Sequence, residues 1–185
     1  IFTFISKKLK THKKQKPIIP KNVVLYGFGR IGRLLARELM LQNGKGSQLR
    51  LRAIVTRGSI TASVLEKRAA LLSYDSIHGA FEGTVYADLK NQALIINGST
   101  VLVISSNAPE DVDYTAHGIN KALIIDNSGV FRTKMELERH LKAKGAEKVL
   151  LTAPGNGIPN IVYGVNQYEY DRKKNKIYSA ASCTT

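Results

Sequence analysis

The sequence of 185 residues contains no tryptophan, a single cysteine and no long apolar run. The lone Cys183 excludes an internal disulfide, and one cysteine suits a reducing compartment such as the cytoplasm. No apolar stretch reaches the ~18 residues that a membrane-spanning helix needs. The opening run Ile1 to Ile5 is too short for the core of a secretory signal, and its lysines follow it rather than precede it. Proline is scarce at five residues, and the hydrophobic and charged fractions, 43% and 23%, are those of an ordinary globular domain, which excludes fibrous and low-complexity classes. Acidic residues are few: 14 against 28 Lys and Arg, a formal net charge of +14. Residues 1–21 have none at all and carry seven lysines, from Lys7 to Lys21. Such a basic arm can bind nucleic acid or an acidic surface. No aromatic platform or nucleic-acid motif accompanies it, so a solvated linker or the end of an upstream helix is expected. The chain opens at Ile1 and stops at Thr185, and it is expected to be a segment of a longer protein.

Pro20 marks a boundary, and residues 22–185 read as one domain. Asn22 to Tyr26 is a short apolar run that predicts a buried strand. Three glycines follow, and Arg30 to Gln42 carries Ile31, Leu34, Leu35, Leu39 and Leu41 at helical spacing until Asn43-Gly44 stops it. Leu49 to Val55 predicts a second strand, so the opening is a βαβ unit. Thr61 to Ser73 predicts a helix. Thr84 to Ala87, Ala93 to Ile96 and Thr100 to Ile104 predict strands, with a hairpin turn at Asn97-Gly98. Ala122 to Asp126 is a buried strand, Thr133 to Lys144 a charged helix closed by Gly145, and Lys148 to Ala153 a further strand. Ile161 to Val165 and Lys176 to Ala180 complete the set. Strands alternating with helices predict an α/β fold of the Rossmann type, doubly wound, with a mostly parallel sheet covered by helices on both faces.

Gly27, Gly29 and Gly32 satisfy G-x-G-x-x-G after a strand and at the start of a helix, the context in which this motif holds a dinucleotide. Gly27 permits the tight turn, Gly29 the approach of a pyrophosphate, and Gly32 close packing of helix on strand. The helix N-terminus offers free N–H groups to the phosphates. At the end of the second strand an Asp or Glu would bind a ribose 2′-hydroxyl. This chain has Thr56 and Arg57 instead, and the forked donors of Arg57 suit a 2′-phosphate, the alternative being a solvated loop charge. The cofactor expectation is therefore NAD or NADP, leaning to NADP. Small hydroxyl residues around Cys183 suit a helix start, where a thiol pKa falls and a thiolate forms, although from composition alone a lone cysteine is more often a buried structural residue.

Three separated segments resemble the glyceraldehyde-3-phosphate dehydrogenase family: YGFGRIGR at residues 26–33, YDSIHGAFEGTV at 74–85 and ASCTT at 181–185. SGVF at 128–131, APG at 153–155 and YGVN at 163–166 fall between them in family order. The resemblance covers residues 22–185. It implies an NAD(P)-dependent phosphorylating aldehyde dehydrogenase of glycolysis or gluconeogenesis that makes 1,3-bisphosphoglycerate. Cys183 is implied as the nucleophile that carries the aldehyde through a thiohemiacetal and a thioester. Ser182 and Thr184 are implied to contact the attacking phosphate or the substrate. Phe28, Arg30 and Ile31 belong to the implied cofactor contacts with the three glycines, as do Asn127 and Ser128. The implied partners are a phosphorylated aldehyde and inorganic phosphate, in a homotetramer, with no metal.

The chain departs from the family pattern in several places. Tyr26 stands where the family has Asn, Thr56 where an NAD-type Asp is expected, Asn107 where many members carry an Arg near the adenine, and Asn127 before Ser128 where Ser-Thr is common. The catalytic His, the arginines for the substrate phosphate and the tetramer loop are expected in a missing C-terminal half, so this segment alone is expected to be inactive. None of its own histidines predicts a base: His12 lies in the arm, His78 is expected to fix a loop, His117 falls in a turn and His140 on a charged helix face. Erythrose 4-phosphate is an alternative substrate, and semialdehyde dehydrogenases fit the HG and SCTT segments poorly. A non-catalytic nucleotide- or nucleic-acid-binding module is the alternative of another class, resting on the arm alone.

Overall fold

The computed structural model describes residues 2, 4–6, 19–44, 47–171 and 174–181. Most of the basic arm, with His12, and Ser182, Cys183 and Thr184 lie outside the described residues. In chain order the elements are β1 (Lys21–Tyr26), α1 (Arg30–Leu41), β2 (Leu49–Thr56), α2 (Ala62–Ser73), β3 (Tyr74–Asp75), β4 (Gly79–Ala80), β5 (Val85–Asp88), β6 (Ala93–Ile96), β7 (Ser99–Ser105), β8 (Ala122–Asp126), α3 (Lys134–Lys142), β9 (Ala146–Leu151) and β10 (Ile177–Ser179). Eight strands form one sheet in the order β10-β9-β8-β1-β2-β7-β6-β5. The six from β10 to β7 run parallel, and β6 and β5 are added antiparallel. The Rossmann-type doubly wound expectation holds.

Side chains of β1 alternate between two buried layers, as a strand covered on both faces requires. Val23 and Leu25 join Ala36 and Met40 of α1 and Leu65 and Leu72 of α2. Val24 and Tyr26 join Leu137 of α3, Val149 of β9 and Phe131 on the other face. Helices α2 and α3 start where side chains take up their free amides. Thr61 Oγ1 accepts from the Val64 N–H, and Thr133 and Glu136 form a reciprocal capping box. Asn97 and Gly98, both at positive φ, turn β6 into β7. No described helix is long and apolar enough to cross a membrane.

Four expectations change. Helix α3 ends at Lys142 because Ala143 is already extended and Gly145 turns at φ +93°, against Ile119 O. Ile161 to Val165 is a turn, not a strand. Gly164 there sits at φ +89°, and the Asn166 side chain accepts from Val162 N and donates to Asn160 O, taking the bonds a ladder would use. The buried face of α1 is Gly32, Ala36 and Met40, whereas Ile31 and Leu41 are exposed. His140 is not on a solvated face: it is fully buried, three residues after the equally buried Leu137.

The short β3-β4 ladder carries a polar joint. Arg37 is buried and donates through Nε to Leu72 O and through its terminal nitrogens to Gly79 O, tying α1 to α2 and β4. Asp75 Oδ1 accepts from the Ile77 and His78 N–H groups and from His78 Nδ1, while Oδ2 lies 3.4 Å from both Arg30 Nε and a terminal nitrogen of Arg33. His78 therefore fixes this loop. Its hydrogen bond, then the two amides, then the charge of Arg30 hold the Asp75 carboxyl far below the usual carboxylate range. A depressed folded-state pKa adds stability above the unfolded value of about 4 and loses it as pH falls below that. Asp75→Asn should therefore melt below the wild type at pH 7, and thermal melts between pH 7 and 2 should show that gap close below about pH 4. A gap that persists unchanged at pH 2 refutes the assignment.

Candidate functional site

The sheet reverses its winding between β1 and β8: β2 and β7 continue on one side of β1, and β8, β9 and β10 lie on the other. In such sheets a crevice opens at the carboxyl ends of the two strands where the order reverses. The loops that leave those ends are Gly27–Gly29 after β1 and Asn127–Gly129 after β8. Tyr26 O accepts the Asn127 N–H, and Asn127 Nδ2 donates to Gly27 O at 2.7 Å, so the two loops are bonded to each other.

The three motif glycines do different work. Gly27 sits at φ +97°, and a Cβ there would stand 2.9 Å from the Ser128 backbone. A Cβ on Gly32 would stand 2.4 Å from Asn127 Nδ2 and 2.7 Å from Gly27 O. Both are required by the packing of this chain alone. A Cβ on Gly29 would meet nothing within 4 Å. That open space lies at the N-cap of α1, which has no side-chain cap and no acid in its first turn. The amides of that turn are thus left for an anion, favoured by the positive end of the helix.

Beneath the Ser128 loop lies a buried polar support. Asp126 is fully buried. Its Oδ1 accepts from Ser128 N and Ser128 Oγ at 2.9 and 2.7 Å, and its Oδ2 bonds His140 Nε2 at 2.7 Å. The Tyr26 ring stands edge-on to His140 at 4.6 Å. Burial pushes the Tyr26 hydroxyl above its ordinary pKa, with the charge of Asp126 adding to it. This group holds the loop in place from below and does not reach the surface.

A cleft of about 410 Å³ opens over the two loops. It brings together Gly27, Phe28, Gly29, Thr56, Arg57, Asn127 and Ser128 from the expected site, and adds Arg68 and Val130. No carboxylate lines it. Thr56 is 7% exposed and its Oγ1 has no hydrogen-bond partner. The side chains of Arg57 and Arg68 make no hydrogen bond or ion pair with any other described residue. Burial lowers the Arg68 guanidinium from its ordinary pKa. Arg30 and Ile31 do not line the cleft: the Arg30 guanidinium lies on Asp75 and Ser76, and Ile31 is exposed. Among the described residues no cluster of three His, Cys, Asp or Glu offers a metal site.

Arg68 was not legible as a site residue because Glu66-Lys67-Arg68 reads as a solvated helix face. The usable signal is its place beside the buried Leu65 and Leu72, three before and four after it. Ala180 and Ala181 lead toward Cys183 from the carboxyl end of β10, so they leave the sheet on the same edge as the glycine loop. Three strand spacings, roughly 14 Å, separate β10 from β1.

A family model described as glyceraldehyde 3-phosphate dehydrogenase, NAD binding domain, matches residues 21–134. A glyceraldehyde-3-phosphate dehydrogenase-like protein of Pseudomonas aeruginosa (strain UCBPP-PA14) is 52% identical over 165 residues, which cover 89% of this chain and 35% of that protein. Glyceraldehyde-3-phosphate dehydrogenase 1 of Agaricus bisporus is 38% identical over 164 residues, 89% of this chain and 44% of its own length. Glyceraldehyde-3-phosphate dehydrogenase 2 of Bacillus subtilis (strain 168) is 37% identical over 164 residues, 88% and 44% respectively. The chain spans less than half the length of these curated relatives.

The glycines separate folding from binding. Gly27→Ala should cost at least ~1–2 kcal/mol in thermal or denaturant unfolding, because it adds a Cβ at positive φ against backbone. Gly29→Ala should leave the unfolding midpoint unchanged yet weaken dinucleotide binding by about tenfold, ~1.4 kcal/mol. If Gly29→Ala is the variant that melts early, the open space at this position is not a ligand's place.

Proposed function

The chain belongs to the glyceraldehyde-3-phosphate dehydrogenase family through its NAD-binding domain, and we propose that it is the cofactor-binding part of a phosphorylating dehydrogenase of glyceraldehyde 3-phosphate. The observation that carries this is the convergence of the open Gly29 amides, the uncapped start of α1 and the Ser128 loop at one crevice. These features fit a nicotinamide dinucleotide. Gly29 and the first turn of α1 would take the pyrophosphate, and Thr56 and Arg57 would face the adenosine ribose, with Asn127 and Ser128 forming the wall beyond β8. When bound, the dinucleotide supplies the two-electron oxidant.

Cys183 is the proposed nucleophile. Its thiolate adds to the aldehyde carbon, giving a thiohemiacetal. Oxidation of that carbon leaves a thioester on Sγ. An oxygen of inorganic phosphate attacks the thioester carbonyl, the C–S bond breaks, the thiolate returns and 1,3-bisphosphoglycerate departs. Ser182 and Thr184 are proposed to hold the attacking phosphate or the substrate. No described histidine is proposed as the base, because none lines the cleft: His78 and His140 are bonded to Asp75 and Asp126, and His117 ends a short 3-10 turn. The base and the substrate-phosphate groups are proposed to come from the part of the relatives that this chain does not span. The assembly proposed is a cytoplasmic homotetramer.

The cofactor preference proposed is for NADP at least as well as NAD. A carboxylate at the end of β2 would repel a 2′-phosphate. Thr56 there removes the repulsion, and Arg57 puts a cation next to it.

In the full-length protein, Cys183→Ser should abolish dehydrogenase activity and leave nucleotide binding intact, because an alcohol is far less nucleophilic than a thiolate at neutral pH. Activity retained by the Ser variant would make the residue structural. Titrating both nucleotides into Arg57→Ala should show the NADP-to-NAD affinity ratio fall by roughly tenfold, the size of one charge-assisted contact. An unchanged ratio removes Arg57 from the reading.

A further inference from the structure

A second guanidinium stands in the cleft with Arg57. Arg68 projects from the middle of α2, on the face that borders Leu65 and Leu72, and lines the same 410 Å³ space. It is half-buried, and its Nε is enclosed without any hydrogen-bond partner. Enclosing part of a cation without an anion is unfavourable. Other guanidiniums on these elements have partners: Arg30 and Arg33 lie on Asp75, Arg37 donates to the Leu72 and Gly79 carbonyls, and Arg139 is paired with Glu110. Arg57 and Arg68 have no such partner among the described residues, and both open on one cleft without a carboxylate. In the same cleft, at the end of β2, the buried hydroxyl of Thr56 is also unpartnered.

We infer that Arg68 is a second reader of the adenosine 2′-phosphate, so that this chain grips that phosphate between guanidiniums from the loop after β2 and from α2, with Thr56 supplying a hydroxyl. A phosphate monoester carries about −1.5 to −2 charges at neutral pH and offers several oxygens to planar, forked donors. The pyrophosphate is not the group in question, because the Gly29 amides and the start of α1 already provide for it. Arg57 and Arg68 come instead from β2 and α2, the side on which this fold places the adenosine ribose. Arg57 is exposed and its charge is screened by water, whereas the partly enclosed Arg68 acts through a lower dielectric. Arg68 is therefore the stronger discriminator of the two. The inference rests on the dinucleotide reading of the cleft.

The test is a pair of binding titrations on the full-length protein, with NADPH and NADH followed by nucleotide fluorescence and each variant checked by its thermal melt. Arg68→Gln should weaken NADPH by roughly tenfold or more while NADH changes by less than about twofold. Adding Arg57→Ala should remove the remaining preference. If both nucleotides weaken equally, or neither changes, Arg68 does not read the 2′-phosphate and the inference is overturned although the dehydrogenase reading stands. If the wild type binds neither nucleotide, that reading falls first and takes the inference with it. Should Arg68→Gln fail to fold, the wild type still decides. Adenosine 2′,5′-bisphosphate should displace NADPH at roughly tenfold lower concentration than ADP, and equal displacement overturns the inference.

Discussion

Where β1 and β8 end side by side, the backbones of Gly27 and Ser128 approach so closely that no side chain fits between them. The approach is fixed by two hydrogen bonds, from Asn127 N to Tyr26 O and from Asn127 Nδ2 to Gly27 O. It sets the angle at which the chain turns out of β1 and therefore where α1 begins. Gly32 is bound by the same contact, since the Asn127 amide occupies the space that its Cβ would need. Two of the motif's three glycines thus serve the protein's own packing. Only Gly29 is left open toward solvent, and its openness depends on the other two.

That seam is supported from below by charge. Asp126 binds the Ser128 loop with one oxygen and His140 with the other, in full burial. A buried carboxylate is tolerable only when its lone pairs are taken up, and here they are taken up by the loop that must be held still and by the helix that covers it. Tyr26 and Phe131 close the pocket around His140. Tyr26 is 3% exposed, so an aromatic ring fills this place at the end of β1. The ring packs against a histidine that a surface reading of α3 had placed in solvent.

The parts of the fold carried by periodicity were legible. The βαβ opening, the hairpin at Asn97-Gly98 and the buried strand before Asp126 each depend on local chemistry that the sequence displays. What failed depends on the third dimension. Ile161 to Val165 has the composition of a strand, but the Asn166 side chain takes the bonds that a ladder would use. In α1 the buried face is set by Gly32, which must lie against Asn127, and not by the run of leucines, so Ile31 and Leu41 turn outward. His140 and Arg68 look like surface charges because their neighbours Arg139 and Lys67 are. Only the position of the adjacent leucines shows that each borders the core. The glycine loop, Thr56 and Arg57 were readable as candidates from the motif and the residues that end β2, and the fold brings them to one cleft. The proposal for Cys183 rests on the resemblance, since a lone cysteine has no geometry of its own.

Net charge describes the chain poorly as a guide to what it binds. The excess of +14 counts every cation alike, yet the described cations differ in what they are free to do. Those around the β3-β4 ladder are spent on Asp75 and on backbone carbonyls, and they join α1 to α2. Those of the arm, Lys7 to Lys16, are a matter of composition alone. Arg57 and Arg68 share an opening and have no partner among the described residues, and Arg68 is also partly enclosed. A cation in water gains little from an anion because both are well solvated, whereas a cation partly withdrawn from water gains more. The selectivity of such a cleft is therefore set by which cations the fold leaves unpaid, not by how many the sequence contains.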